Sequence, residues 1–307
     1  MSEFEVLGIG RAYADLLLVV PHMPQVDDVL IVEQVAHQGG GVVPTAMVTV
    51  ARLGHTAAIW ACIGDDYYGD FIAADFRAYG VNVDHLQVSS GHHSPLATVL
   101  VDRATQTRSI MSYRGSMPLP HADDFDAELV RGCRVLHLSG SYMEVELKAA
   151  RAARALGVTV SFDGGAGLAS PDKVELLRLC DVVVVARRFA QEVTGHHDLH
   201  QCACEMLNLG AHTVVITDGL AGSHGWTADG QSCYQPAFEV TVADTTGAGD
   251  VYHGVFVVGL LEGWPLQRNM AFASATAALK CTRLGGRAGI PTRLEVERFL
   301  AAYGRPS

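Results

Sequence analysis

The stretch that decides the fold is Asp244-Thr245-Thr246-Gly247-Ala248-Gly249-Asp250. Just before it, apolar and polar residues alternate over 238–242, and this alternation predicts a β-strand. Just after it, apolar residues return at helical spacing over 251–261, and Gly263 and Pro265 end the pattern. The stretch is therefore predicted to be a turn of small residues between a strand and the start of a helix.

This turn has the chemistry of an anion site. Successive backbone N–H groups at the positive end of a helix hold an anion without any lysine. A carboxylate at the same helix start, Asp250, would repel that anion, so its presence there calls for a functional reason. One such reason is that Asp250 acts as a general base: it takes a proton from an attacking hydroxyl, while the neighbouring N–H groups hold the charge on a phosphoryl group. From these residues alone a second interpretation stays open, in which Asp250 only neutralises the helix end.

The rest of the chain predicts an α/β fold with a mostly parallel sheet. From about residue 57 onward, short apolar runs alternate with amphipathic helices, an order typical of a parallel sheet covered by helices. The predicted buried strands are Ala57–Cys62, Arg134–Leu138, Val158–Phe162, Asp181–Val185 and Thr213–Thr217, and the clearest helices are Tyr67–Tyr79 and Glu144–Leu156. Residues 14–38 and 95–113 instead have the pattern of strands joined by turns, so we expect them to pair into a small sheet. No linker or repeat divides the chain, and we expect one domain over residues 1–307.

Composition excludes several function classes. The chain carries 33 acidic and 22 basic side chains, a net charge of −11, which disfavours binding to nucleic acid or to an acidic membrane surface. Its seven cysteines are scattered, which indicates reduced thiols. The start MSEFEVLGIG lacks the charge pattern of a signal peptide, and no apolar run reaches the ~18 residues of a membrane span, so we expect a cytoplasmic protein. None of the three lysines stands in a P-loop motif.

The string DTTGAGD followed by a helix resembles the second signature of the ribokinase-like, or PfkB, family of carbohydrate kinases. A glycine loop that enters a predicted helix resembles the family's first signature, GGxxxNxAxxxARLG, through Gly40, Gly41 and the run Ala51-Arg52-Leu53-Gly54. Thr45 stands where asparagine is usual, and Met47 where alanine is usual. The resemblance runs through the whole chain in order. It implies a ribokinase-like three-layer α/β/α domain, with residues 14–38 and 95–113 as a small β-sheet lid.

The family's activity is ATP-dependent transfer of the γ-phosphoryl group to a sugar hydroxyl, and the resemblance implies the same here. Asp250 would be the general base, and the amides of Gly247, Ala248 and Gly249 would form the anion hole. The opening Val6–Asp15 resembles the family's GxxNxD motif, with Tyr13 in place of the asparagine. It implies that Asp15 accepts hydrogen bonds from sugar hydroxyls.

Further substrate contacts are implied for Gly40, Gly41 and Thr45 by the first signature. Arg108, in the second lid stretch, is a candidate for contact with an anionic substrate group, or it is a solvated surface residue. The segment LKCTRLGGRAGIP over 279–291 resembles a branch that contains sulfofructose kinase and unassigned sugar kinases. The residues do not select the sugar.

The nucleotide and cation sites are also implied by resemblance. Residues 217–222, TDGLAG, resemble the family's TxGxxG turn, and the implied nucleotide contacts are Thr217, Gly219, Gly222 and Ser274. Residues 277–286 resemble the segment that encloses a monovalent cation in ribokinase-type members, and the implied potassium ligands are Asp244, Thr246, Arg283 and Gly285, with Arg283 and Gly285 contributing backbone carbonyl oxygens. Alternatively, Arg283 only caps the preceding helix. Where many relatives carry NxxE, this chain has Ala186-Arg187-Arg188-Phe189, so Mg²⁺ is expected to be held mainly by nucleotide phosphates and water.

Two other functions remain open from the sequence, a nucleoside kinase and a sugar-binding pseudokinase that has lost activity. The altered NxxE and asparagine positions motivate the second, and the intact Asp250 turn weighs against it. We also expect a homodimer through the lids, as is common in the family, because an uncovered small sheet would leave apolar residues in water. These residues are Leu16, Leu18, Val20, Val99 and Val101.

Overall fold

The predicted apolar runs become strands of a large sheet in the computed structural model, which describes residues 4–105, 107–165 and 171–303. Its strands are β1 (Val6–Ile9), β4 (Ala57–Gly64), β5 (Leu86–Ser89), β8 (Val135–Leu138), β9 (Thr159–Asp163), β10 (Val182–Ala186), β11 (Thr213–Thr217), β12 (Ser223–Thr227) and β13 (Ser232–Gln235). Their order is β13-β12-β11-β10-β9-β8-β1-β4-β5. From β11 to β5 neighbouring strands are parallel, and only β12 and β13 pair antiparallel at one edge.

A second, smaller sheet, here called the lid sheet, is built from the two irregular stretches. Its strands are β2 (Tyr13–Val20), β3 (Gln34–Gly40), β6 (Leu96–Asp102) and β7 (Arg108–Tyr113), in the order β3-β2-β6-β7. The central pair β2 and β6 is parallel, and the two outer pairs are antiparallel. Val29 and Ile31 lie within the stretch 14–38 that was predicted as strands joined by turns, but they precede β3 and are exposed.

Helices cover both faces of the large sheet. They are α1 (Val42–Arg52), α2 (Tyr67–Ala78), α3 (Met143–Leu156), α4 (Pro171–Leu177), α5 (Arg187–Thr194), α6 (Leu199–Asn208), α7 (Ala248–Leu261), α8 (Leu266–Cys281) and α9 (Arg293–Tyr303). Alternate residues of one strand belong to two different cores: Val182 and Val184 of β10 pack on the side of α1, α7 and α8, whereas Val183 and Val185 pack on the side of α3, α5 and α6. A strand buried on both faces needs no polar alternation, and the large sheet with helices on both sides confirms the predicted α/β class with a mostly parallel sheet.

The predicted strand over 238–242 is wrong, because these residues form no ladder. The apolar side chain that begins the alternation, Phe238, packs instead against Phe299 and Tyr303 of α9, with ring centroids 5.4 and 4.7 Å away. Packing on a helix thus produces the same short alternation as a half-buried strand. The turn and helix after it are as predicted, and α7 begins at Ala248.

The apolar residues of the lid sheet divide between its two faces. Leu17, Val99 and Val101 form a small core that also includes Leu284, so this face is covered by the chain itself. The expectation that Val99, Val101 and Val20 need a partner is therefore wrong, since each is at most 3% exposed. Leu16 and Leu18 lie on the opposite face.

All seven cysteines are free. Within the described ranges, no helix combines the length and the apolar character needed to cross a membrane.

Candidate active site

The candidate site lies where carboxyl ends of parallel strands meet the lid sheet and the start of α7. Open α/β sheets bind their ligands at this edge because the loops that follow the strands converge there. Asp163 ends β9 and Thr217 ends β11. From the other side, Arg108 of β7 donates from Nη1 to Thr245 Oγ1 at 2.6 Å, which joins the lid sheet to the turn before α7.

The turn before α7 folds around the side chain of Asp244. Its Oδ1 accepts hydrogen bonds from the backbone N–H and the hydroxyl of Thr246, at 2.8 and 2.7 Å. Gly247 then caps the helix with φ 74°, and a Cβ there would lie 2.9 Å from Gly286 Cα, so only glycine fits.

The predicted anion-hole amides are not equivalent. The N–H of Ala248 donates to the Thr245 carbonyl at 3.2 Å, so it is used inside the turn. The N–H groups of Gly247 and Gly249 have no acceptor among the described residues. These two amides, at the positive end of a 14-residue helix, are the ones available to an anion.

Asp250 lies in the first turn of α7 among other charged groups. Burial raises the pKa of its carboxyl well above the ordinary value, and the nearby carboxylates of Asp163 and Asp15 raise it further. Arg108 and Lys280 act in the opposite direction on the same pKa. A carboxyl with a raised pKa beside a free helix end is suited to accept a proton.

Asp15 reaches the site from β2, where it pairs with Gln38 of β3. Its carboxyl lies against the glycine loop, since a Cβ on Gly40 would be 2.1 Å from Asp15 Oδ2. Burial raises the pKa of Asp15 to about 6; Arg287 lowers it and Asp75 raises it. Gly41 caps α1 with φ 104°, a conformation that favours glycine.

A buried arginine under the glycine loop was missed in the sequence. Arg287 is 1% exposed, forms an ion pair with Asp75 of α2, and donates from Nη2 to the Gly40 carbonyl at 3.1 Å. Its Nε lies 3.5 Å from Thr45 Oγ1, so the threonine at the asparagine position contacts this guanidinium. Its signal in the sequence was a charged residue within the glycine-rich tail at 285–289.

The predicted nucleotide residues lie around the end of β11. Gly219 and Gly222 have φ values of 55° and 86°, and a Cβ on Gly222 would be 2.2 Å from the Gln235 carbonyl oxygen. Ser274 of α8 donates to the Pro236 carbonyl at 3.4 Å, and Pro236 also adjoins Gly222. The structure thus brings the turn and Ser274 together.

The position of the missing NxxE motif carries two arginines in ion pairs. Arg187 Nη1 lies 2.8 Å from Asp218 Oδ2, within the nucleotide turn. Arg188 Nε lies 2.7 Å from Glu192 Oε1, as expected for a pair at a helix surface. This position therefore presents positive charge and no free carboxylate.

A buried group of His137, Asp163 and His253 lies one helical turn below Asp250. His253 Nε2 is 3.3 Å from Asp163 Oδ1, and His137 Nδ1 is 3.2 Å from Ser161 Oγ. Burial raises the pKa of Asp163 to about 7 and lowers that of both imidazoles to about 3. The sequence signal for Asp163 was its position at the end of a buried run, a common place for functional residues in parallel sheets.

The predicted potassium ligands are only partly brought together. Gly285 donates its N–H to Asp244 Oδ2 at 2.9 Å, and Thr246 bonds to the other oxygen of that carboxylate. The fully buried ammonium of Lys280, however, donates to the Asp244 backbone carbonyl at 2.8 Å. Arg283 was predicted to contribute only its backbone carbonyl, and its side chain forms an ion pair with Glu295 at 3.3 Å.

The family model of the pfkB carbohydrate kinases matches residues 4–293. The chain belongs to this PfkB family. It is 28% identical over 302 residues to the ribokinase of Haemophilus influenzae, covering 95% of this chain and 97% of that one. It is 26% identical over 320 residues to the 5-dehydro-2-deoxygluconokinase of Geobacillus thermodenitrificans, covering 97% and 94%.

Among solved structures, the ribokinase of Arabidopsis thaliana, complexed with ribose and ATP, superposes with a TM-score of 0.85 at 25% identity, covering 98% of this chain and 99% of that one. The PfkB assignment confirms the predicted family, and with it a sugar kinase that uses ATP.

Proposed function

We propose that this PfkB kinase uses Asp250 as the general base that activates a sugar hydroxyl for attack on the γ-phosphoryl group of ATP. The observation that carries the proposal is the position of Asp250, in the first turn of α7, beside free helix amides and close enough to Asp15 for that carboxylate to raise the pKa of Asp250. A sugar bound between these two carboxyls can donate the reacting hydroxyl's proton to Asp250 and a hydrogen bond from a second hydroxyl to Asp15. Nothing else in the described site offers a base next to free helix amides.

In the proposed reaction Asp250 takes the proton of the hydroxyl as its oxygen attacks the γ-phosphorus. The new P–O bond forms as the bond to the β-phosphate oxygen breaks, and ADP leaves. Negative charge on the transferred group is held by the amides of Gly247 and Gly249 and by the guanidinium of Arg108. Arg108 comes from the lid sheet, so closure of that sheet both completes the site and excludes water.

We place the sugar at Asp15, Gly40 and Gly41, and the nucleotide along the turn at 217–222 with Ser274. In this arrangement Arg108 and Asp250 lie where the two substrates meet. Thr45 acts through Arg287, because its hydroxyl faces that guanidinium. Arg187, beside the nucleotide turn, adds positive charge on the phosphate side.

Mg²⁺ is expected with ATP in this family, and a ribokinase-like structure from E. coli contains both. The residues at the NxxE position do not fit this ion, because Arg187 and Arg188 stand there without a free carboxylate. Phosphate oxygens and water are therefore its proposed ligands. Potassium does not fit its predicted cage either, since Lys280 occupies the Asp244 carbonyl.

We further propose that two copies associate through the outward face of the lid sheet. This face carries Leu16 and Leu18, which are half-buried, and Met111 and Val35, which are 58% and 52% exposed. Val35, Leu18 and Leu100 stand in ladder register across three strands of this face, and this apolar row is what a second copy would remove from water.

The experiment is a coupled assay of ADP release with Mg-ATP and a panel of acceptors. The panel contains ribose, fructose, 5-dehydro-2-deoxygluconate, sulfofructose and adenosine, and mass spectrometry identifies the phosphorylated product. We expect one sugar to give stoichiometric ADP and a sugar phosphate. Phosphorylation of adenosine alone, or binding of a sugar and ATP without turnover, would overturn the proposal.

A further inference from the structure

The cation next to the anion-hole turn is built into the chain. Lys280 lies at the end of α8, is 0% exposed, and donates from Nζ to the backbone carbonyl of Asp244 at 2.8 Å. Asp244 is the first residue of the turn that ends in the catalytic candidate Asp250. The ammonium therefore contacts the same turn whose amides are proposed to hold the phosphoryl group.

The charges around this ammonium are those that a bound monovalent cation would face. Burial lowers the pKa of Lys280, and the guanidinium of Arg108 acts in the same direction, whereas the carboxylates of Asp244 and Asp250 favour the charged form. A buried ammonium keeps its charge when opposite charges offset the cost of burial, and the charges of Asp244 and Asp250 act in that direction on Lys280. Its positive charge thus balances the acidic turn from within the protein.

The same contacts leave few free oxygen atoms of Asp244 to coordinate a potassium ion. Asp244 already accepts three hydrogen bonds through its carboxylate, from Thr246 N–H, Thr246 Oγ1–H and Gly285 N–H. Its backbone carbonyl accepts a fourth, from Lys280. Potassium prefers a cage of free carbonyl and carboxylate oxygens, and it would also be repelled by the neighbouring ammonium.

We propose that the Lys280 ammonium takes the place of an activating monovalent cation, so that the kinase works without potassium. Lys280 is a positioning residue: it acts through the Asp244 carbonyl on the Gly247–Gly249 turn and adds to the positive field there. The inference rests on the proposed function in one respect, that this turn is the anion hole. It reverses the expectation of potassium activation that the family resemblance implies.

The first test needs no variant. Initial rates at fixed ionic strength in potassium, sodium, lithium and tetramethylammonium chloride should agree within about twofold for the wild-type protein. A several-fold higher rate in potassium would overturn the proposal.

The second test removes the ammonium. Lys280→Ala leaves a buried space beside Asp244, and turnover should fall about 10-fold or more with little change in the KM of either substrate. Potassium or ammonium ions should restore part of the lost rate, whereas lithium should not. The matched control is Lys148→Ala, because Lys148 Nζ also donates to two backbone carbonyls, of Ala122 and Phe125 at 2.9 Å each, away from the site. This control should keep the wild-type rate and its indifference to cations.

A binding readout separates the inference from the proposed function. Thermal unfolding is measured in potassium chloride and in tetramethylammonium chloride at equal ionic strength. Potassium should raise the melting temperature of Lys280→Ala and leave that of the wild type unchanged. A folded Lys280→Ala variant that no cation rescues or stabilises would show a purely structural lysine and overturn the proposal. If potassium stabilises Lys280→Ala but the wild type phosphorylates no sugar, the result would support Lys280 as the resident cation and refute only the proposed function.

Discussion

Asp15→Asn should stabilise the protein at alkaline pH while it weakens sugar binding. Asp15 is 8% exposed, and burial raises the pKa of its carboxyl from the ordinary value of 3.8 to about 6. Each unit of pKa difference between folded and unfolded chains corresponds to about 1.36 kcal/mol. A difference of about two units means that the ionised carboxylate costs the folded state about 3 kcal/mol.

The sign fixes the pH window. A carboxyl whose pKa is raised on folding binds its proton more tightly in the folded state, so its cost grows as pH rises from about 4 to 6 and is constant above. Asparagine cannot ionise and avoids that cost. The gain in free energy of unfolding should therefore be about 3 kcal/mol at pH 8 and close to zero near pH 4.

The assay is urea denaturation of wild type and Asp15→Asn at pH 8 and pH 4.5, with the slopes compared to ensure that only the midpoint moves. The matched control is Asp75→Asn, which leaves the buried Arg287 unpaired and should destabilise by about 3–5 kcal/mol. Equal stability of Asp15→Asn and wild type at pH 8, or a gain that does not depend on pH, would refute the reasoning. The KM of Asp15→Asn for the sugar should rise far more than its KM for ATP, because the lost carboxylate faces the sugar.

Two further predictions concern the lid sheet. Arg108→Met should lower turnover. Because Arg108 lowers the pKa of Asp250, the same variant should also move the acid limb of the pH–rate profile to higher pH. An unchanged acid limb would show that Arg108 does not influence the general base. Met111→Glu, on the outward face, should convert a dimer into a monomer in light scattering at micromolar concentration without loss of secondary structure. Ile110→Glu, on the opposite face of the same strand, should have a smaller effect on association, and a monomeric wild type would contradict the dimer.

The fold was predictable because its signals are local. The run Val182–Val185 lacks polar residues because helices cover both faces of the sheet. The glycines that end helices adopt a positive φ, which other residues adopt only with strain. The failure at 238–242 arose where alternation came from packing on α9, a long-range contact that a short window cannot distinguish from a strand.

The site was predictable in its motifs and less so in its charges. Asp15, Asp250 and the glycine turns stand in contiguous signatures, so their types and spacing were visible. Lys280, Arg287 and Asp163 act through contacts with residues distant in sequence, such as the pair of Arg287 and Asp75, 212 positions apart. The sequence showed Lys280 only as one of three lysines, within a predicted helix. Its contact with the Asp244 carbonyl, 36 positions away, is visible only in the structure.

The most direct test of the kinase mechanism is Asp250→Asn, measured by single-turnover phosphoryl transfer together with calorimetric binding of ATP and sugar. The account predicts that both affinities stay within a few-fold of wild type while the transfer rate falls by about 10² or more, as expected for loss of a general base. Asp70→Asn, which removes a carboxylate from the first turn of α2 instead, should leave the rate unchanged. Near-full transfer by Asp250→Asn, with both substrates bound, would contradict the central claim.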